Sequence, residues 1–294
     1  MLSFPEKDRY TWGDFLEMVR LLRSPEGCPW DRAQTHASIR RNFLEETCEA
    51  LDAIDRDDPA NLCEELGDVL LQTAFHAQIE AERGRFTMDD VVHGVTAKLL
   101  YRHPHVFENA EARDGEEALA NWEERKRREK GHTSISDTVE AVPHTLPALW
   151  RAEKIQKKVV KAGFDWDNPF SALEKLEEEV RELRQALEAG QDVDAPHGVR
   201  EELGDVLFVA AGIAQRNGVD PEDALHRSCD KFQRRFRLVE EGADRPLSDY
   251  TEAELIALWK AAKEKDSALQ RDRGEISPLP GNKQKTGGTQ NEQE

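Results

Sequence analysis

Long hydrophobic runs are missing from this chain. The longest, Val206 to Ala214, contains Gly212 and falls far short of the ~20 apolar residues that a membrane-spanning helix requires, so no membrane partner is expected. Met1 to Tyr10 carries Glu6, Lys7, Asp8 and Arg9 where a secretion signal has an apolar stretch, and a cytoplasmic location is expected. The four cysteines (Cys28, Cys48, Cys63, Cys229) form no CxxC pair, which suits reduced thiols in packed positions better than a disulfide frame or a zinc site. Basic residues are in deficit, 41 Lys and Arg against 60 Asp and Glu, and a net charge of −19 repels nucleic acid. P-loop and GxGxxG segments are lacking too, leaving a Walker-type or Rossmann nucleotide site unsupported. Strand alternation is absent, while charged residues reach 34%, a balance typical of helices with wet outer faces.

What is present is a repeat. The segment Glu64-Glu65-Leu66-Gly67-Asp68-Val69-Leu70 recurs residue for residue as Glu201-Glu202-Leu203-Gly204-Asp205-Val206-Leu207. Upstream of each copy lies an EExxE cluster, Glu45 to Glu49 and Glu178 to Glu182, and before those Trp30-Asp31 and Trp166-Asp167. Downstream come Lys98 to Arg102 and Lys231 to Arg235, then Trp122 and Trp259. The same parts in the same order predict two tandem units, residues 1–130 and 148–266. Ser134, Ser136, Pro143 and Pro147 mark 131–147 as a linker, and the Pro, Gly and polar content of 267–294 predicts a disordered tail.

Apolar residues step by three and four along Phe43, Leu44, Cys48, Leu51 and Ile54, and along Leu173, Leu176, Val180, Leu183 and Leu187. Leu66, Val69, Leu70, Thr73 and Leu203, Val206, Leu207, Ala210 continue the pattern, giving paired amphipathic helices and an all-α, bundle-like unit. Asp167, Asn168 and Pro169 read as a helix start and Gly190 as a stop.

On these helices Glu46 and Glu49 are three residues apart, as are Glu65 and Asp68, so each pair projects from one face. Glu179, Glu182, Glu202 and Asp205 form the corresponding set. An EExxE segment alone describes a solvated face. Here the duplication and the flanking apolar residues (Cys48, Leu51, Leu66, Val69, Val180, Leu183) direct acids inward, where facing carboxylates demand a cation. Oxygen-only ligands select Mg²⁺, with Mn²⁺ as substitute, and a ferritin-like iron site would need ExxH where Asp68 and Asp205 stand. Carboxylate-held Mg²⁺ suits phosphoryl chemistry, because it neutralises phosphate oxygens and lowers the pKa of bound water. Lys98, Arg102, Lys231, Arg234 and Arg235 could hold the remaining phosphate charge, or be ordinary basic faces. Trp122 and Trp259 could stack on a base or pack in a core, and His103-Pro104-His105 could turn over the site or be structural.

EExxE followed by ExxD, with Gly27-Cys28-Pro29-Trp30-Asp31, Arg102-His103-Pro104-His105-Val106-Phe107 and Gly163-Phe164-Asp165-Trp166-Asp167, resembles the MazG family of nucleoside triphosphate pyrophosphohydrolases from about Tyr10 to Asp266. The resemblance implies an all-α fold of two four-helix-bundle-like units, and Mg²⁺-dependent hydrolysis of (d)NTPs to the monophosphate and pyrophosphate. It also implies a homodimer in which the second unit is the principal hydrolase. Carried over by position, Glu179, Glu182, Glu202 and Asp205 become metal ligands and Glu178 an auxiliary acid orienting water. Lys175, Lys231, Arg234 and Arg235 become nucleotide contacts, and Trp259 the aromatic one. Glu46, Glu49, Glu65 and Asp68 are an intact first-unit metal set, while His197-Gly198-Val199-Arg200 lacks a lysine that some members place there. Two other readings stay open: a narrower dUTP or modified-nucleotide pyrophosphatase, and a non-catalytic helical metal- or partner-binding scaffold.

Overall fold

The computed structural model describes residues 2–108, 111–190 and 192–272. All regular elements among the described residues are helices, and the chain divides into two compact units, Met1–Gly131 and His132–Glu294.

The first unit holds α1 (Trp12–Leu22), α2 (Pro29–Ala33), α3 (His36–Asp55), α4 (Pro59–Glu82), α5 (Met88–Arg102), α6 (Pro104–Phe107) and α7 (Gly115–Glu129). Side chains fix the helix starts. Thr11 with Asp14, Thr35 with Ser38 and Thr87 with Asp90 close reciprocal capping boxes that satisfy free N–H groups at the first turns. The short loop after Asp55 folds α4 back along α3, and α1 and α5 lie against α4. The core there is Val19, Ile39, Ala74, Phe75 and Ile79, with Phe15, Leu16, Leu71 and Met88 around it. A polar cluster seals its edge: buried Glu80 accepts from Arg83 and Arg85 and meets His36, while Arg23 forks onto Glu82 at 2.8 Å. The α3/α4 hairpin thereby holds two acid-bearing segments side by side.

The second unit holds α8 (Ile135–Glu140), α9 (Ala148–Lys161), α10 (Pro169–Ala189), α11 (Val199–Arg216), α12 (Pro221–Gly242) and α13 (Glu252–Asp272), with a 3-10 turn at Leu247–Asp249. Asn168 caps α10 and Gly190 ends it in the left-handed conformation (φ 59°), as the sequence predicts. The α10/α11 hairpin repeats α3/α4; α9 packs on α11 and α13 runs along α12. Trp150 donates from its indole to Asp220, the cap of α12, tying α9 to that helix.

Two expected boundaries gain detail and one expectation, the packed cysteines, is corrected. The segment 131–147 is not a bare linker, because Ser134 and Asp137 cap α8, which packs on α9. Helix α13 runs through Asp272, so the expected tail is helical over its first six residues (267–272), and its remainder, 273–294, lies outside the described residues. The cysteines are not packed: Cys48, Cys63 and Cys229 are exposed and Cys28 half-buried. The reason is that Cys48 and Cys63 lie on the apolar stripes of the paired helices, and those stripes are uncovered. Leu44, Ile54, Leu66, Leu187 and Leu207 are each about half exposed, and the buried residues of these helices are mainly small ones such as Ala50, Ala53, Ala186 and Ala211.

Candidate active site

Each paired hairpin brings carboxylates from two helices together. In the first unit oxygens of Glu46, Glu49 and Glu65 lie within 4.8 Å of one another; in the second, those of Glu179, Glu202 and Asp205 do. Asp68 and Glu182 stand outside these closest sets but share the field. Burial, and then the charge of Asp68, raises the Glu46 carboxyl above its ordinary range, and burial with Glu49 does the same for Glu65. Burial and Glu179 raise Glu182 and Asp205. Carboxylates that lift one another's proton affinity across two helices are short of positive charge, and an all-oxygen set of this kind suits a hard divalent cation.

The two sites differ in depth. Glu46, Glu49 and Glu65 are half-buried or exposed, whereas Glu179 and Glu202 are 6% and 5% exposed. Lys175 supplies a counter-charge in the second unit, its ammonium lying 2.7 Å from Glu178 and 2.8 Å from Glu179, whereas in the first unit Arg41 pairs with Glu45, 2.7 Å away. Those two hydrogen bonds raise the lysine's proton affinity, and the same contact holds Glu178 below its ordinary range and ionised. His197 adds a group that spacing alone does not reveal. Its φ of 56° is left-handed, its N–H donates to Glu201, and its Nδ1 lies 3.5 Å from Glu202. A His-Gly pair before a helix was the available signal, since Gly198 opens α11 where a Cβ would strike three carbonyl oxygens.

The remaining expected contacts gather on the α12/α13 hairpin. Lys231 and Arg234 are exposed, and Trp259 packs against Phe232 at 5.2 Å between ring centres. Arg235 donates from Nε to Asp266 at 2.9 Å, and Arg234 lies 3.5 Å from the other oxygen of that carboxylate. The first unit repeats this: Arg102 donates to Glu129 at 2.8 Å. There Arg102 and Lys126 both lie over the Trp122 ring. His103 bonds the Leu99 carbonyl at the end of α5, a structural role, while the Nδ1 of His105 is buried without a partner.

A family model described as the MazG nucleotide pyrophosphohydrolase domain matches this chain twice, over residues 34–107 and 168–239. Each match spans one carboxylate hairpin. The chain is 43% identical to the nucleoside triphosphate pyrophosphohydrolase of Escherichia coli K12 over 226 residues, 76% of this chain and 85% of that one. It is 40% identical to the nucleoside triphosphate pyrophosphohydrolase/pyrophosphatase MazG of Thermotoga maritima over 253 residues, 85% and 94% of the two chains. The uncharacterized protein YabN of Bacillus subtilis is 43% identical over 258 residues; the match takes in 87% of this chain and about half, 52%, of that longer relative. The site and these matches define a class, the hydrolases of phosphoanhydride bonds. Within it, the chain belongs to the MazG family of nucleotide pyrophosphohydrolases, with two tandem domains of that family and an all-α fold.

Proposed function

We propose that this chain hydrolyses (deoxy)nucleoside triphosphates to the monophosphate and pyrophosphate with Mg²⁺ as cofactor, the second unit being the principal site. The observation that carries this reading is the convergence of Glu179, Glu202 and Asp205 within 4.8 Å, two of them buried, with Lys175 beside them. Glu179, Glu182, Glu202 and Asp205 would hold the cation, and Glu46, Glu49, Glu65 and Asp68 its first-unit counterpart. A bound Mg²⁺ supplies charge neutralisation at the phosphate oxygens and acidifies water.

The protein's own groups do the rest. Lys175 shifts from its carboxylate partners towards the incoming polyphosphate, adding a positive charge next to the reacting phosphorus. Glu178, released as the lysine moves away, accepts a hydrogen bond from the attacking water, orients it and takes up its proton. Lys231 and Arg234 hold the distal phosphates, Trp259 contacts the base, and pyrophosphate leaves.

The working form is a homodimer. Leu173, Leu176, Val180, Leu183 and Leu187 follow a three–four spacing, the seam of packed helices, yet Leu173, Val180 and Leu187 stand 46%, 44% and 60% exposed. A second copy covering that seam removes the apolar surface from water. Net charge of −19 argues against nucleic acid as partner, and a cytoplasmic location is consistent with no helix among the described residues being long and apolar enough to cross a membrane.

The deciding experiment is product analysis across all (d)NTPs with Glu202→Ala and Asp205→Ala alongside. Monophosphate plus pyrophosphate from the unaltered protein, and loss of turnover by roughly 100-fold or more in either variant, is expected. Diphosphate plus phosphate, or undiminished turnover in the variants, would overturn the reading.

A further inference from the structure

The acid at position 266 lies outside both matched segments, on the last helix, and nothing in the motif pattern singles it out. It is nevertheless among the most buried charges in the second unit, 3% exposed. One oxygen accepts from Arg235 Nε at 2.9 Å and the other faces Arg234 Nε at 3.5 Å, so a single carboxylate joins α13 to two basic residues of α12. The first unit contains the same device. Glu129 follows Trp122 by seven residues (129 − 122) and Asp266 follows Trp259 by seven (266 − 259), and each acid binds the arginine four residues after a lysine, Lys98 or Lys231. Seven residues are two helical turns, so acid and tryptophan share one face of their helix.

The opposite end of the hairpin is tied independently, by Arg245 to Glu254 at 2.7 Å and by Tyr250 to Asp244. Trp259 lies between the two ties, and its ring meets Phe232 only if α13 keeps its rotation about its own axis. We propose that Asp266 is a positioning residue for nucleotide binding: by holding Arg235, and through it α13, it sets where Trp259 stands relative to Lys231 and Arg234. The clamp engages Arg235 through its Nε.

The inference rests on the hydrolase reading above, and the test separates the two. Asp266→Asn, Asp266→Glu and Arg235→Lys are compared with the unaltered full chain for steady-state turnover, and for calorimetric binding of an NTP analogue carrying a methylene between its α- and β-phosphorus. Asp266→Asn is expected to raise both KM and the analogue Kd about tenfold with kcat within about twofold. Asp266→Glu restores most of the binding, and Arg235→Lys, which keeps the charge and loses the planar fork, weakens it several-fold. Unchanged KM and Kd in Arg235→Lys and Asp266→Asn, a fall confined to kcat, or no restoration by Asp266→Glu would overturn the assignment. Should Asp266→Asn not fold, Asp266→Ser takes its place in the same comparison. Failure of the unaltered protein to release pyrophosphate sinks the hydrolase reading, whatever the variants do.

Discussion

Lys175 and Glu179 are one turn apart on α10, and the lysine ammonium lies 2.8 Å from a carboxylate that is almost wholly buried. Aligning the EExxE clusters puts Asn42 at the corresponding place in the first unit (175 − 133 = 42, as 178 − 133 = 45). The lysine partly neutralises the second site before any ligand arrives, and it competes there with an external cation. Lys175→Met should therefore cost about 1–2 kcal/mol of stability without metal, between the values for surface and buried ion pairs, since the lysine is itself partly exposed. Its Mg²⁺ affinity should rise while the KM for NTP rises several-fold. Thermal unfolding and metal titration read the first two effects. A parallel loss of metal and NTP affinity would show that the lysine builds the site instead of sharing it.

The raised carboxyls give stability a pH signature. Glu46, Glu65, Glu182 and Asp205 have folded-state values above their ordinary ones, because burial and neighbouring acids disfavour the ionised form. The folded state then binds more protons than the unfolded chain between the ordinary and raised values, and stability falls as pH rises through that interval. Without metal, Tm should be higher just above pH 4.5 than at pH 8 so far as these groups control it. Added Mg²⁺ should raise Tm at pH 8 and progressively less as pH falls towards 4.5, because protonated acids bind it poorly. The Glu202→Ala and Asp205→Ala variants should lose much of that metal-dependent rise. An equal Mg²⁺ effect at both ends of the range would contradict the assignment of these acids as ligands.

Helix content and the pairing of α3 with α4 and α10 with α11 were legible in the sequence, because a 3.6-residue period acts within one helix and the repeat states it twice; of the four acids expected to meet in each unit, three do, with Asp68 and Glu182 left outside. Depth was not. The sequence could not distinguish Glu49, which is exposed, from Glu202, which is buried, since that depends on how neighbouring helices cover each face. Nor did it show that Arg235 is claimed by Asp266, a contact set by how α12 and α13 lie side by side. The packed cysteines failed for a related reason: periodicity identifies an apolar face but not whether the same chain covers it.

That uncovered face makes a direct prediction. Leu187, 60% exposed on the second unit, belongs to the seam that a second copy would cover, away from the ligand-bearing turn of α10. Burial of a leucine contributes about 1.5–3 kcal/mol, and a glutamate there would add an unpaired charge to an apolar contact. Sedimentation of Leu187→Glu should show a shift from dimer towards monomer at micromolar concentration with helix content retained. A dimer of undiminished stability would place the association elsewhere on the molecule.

Where α9 crosses α11 the contact is polar and unusually close. Gln156, 4% exposed, donates from Nε2 to the Phe208 carbonyl at 2.6 Å, and its side-chain oxygen lies where a Cβ on Gly212 would have to stand. Gly212 sits mid-helix, where glycine costs up to about 1 kcal/mol relative to alanine, so an alanine would ordinarily be stabilising. Here the added methyl must displace a buried amide from its hydrogen bond. Overpacking costs about 1–3 kcal/mol and a buried polar group left unpaired about 1–3 more, which together outweigh the gain in propensity. Gly212→Ala should therefore destabilise the protein by roughly 2–4 kcal/mol in urea unfolding. Removing the obstacle as well, in Gln156→Ala/Gly212→Ala, should recover part of the loss, with a coupling of at least about 1 kcal/mol between the two positions. Additive single effects would mean that the helices part to admit the methyl, and that the close crossing of α9 and α11 does not depend on the missing side chain.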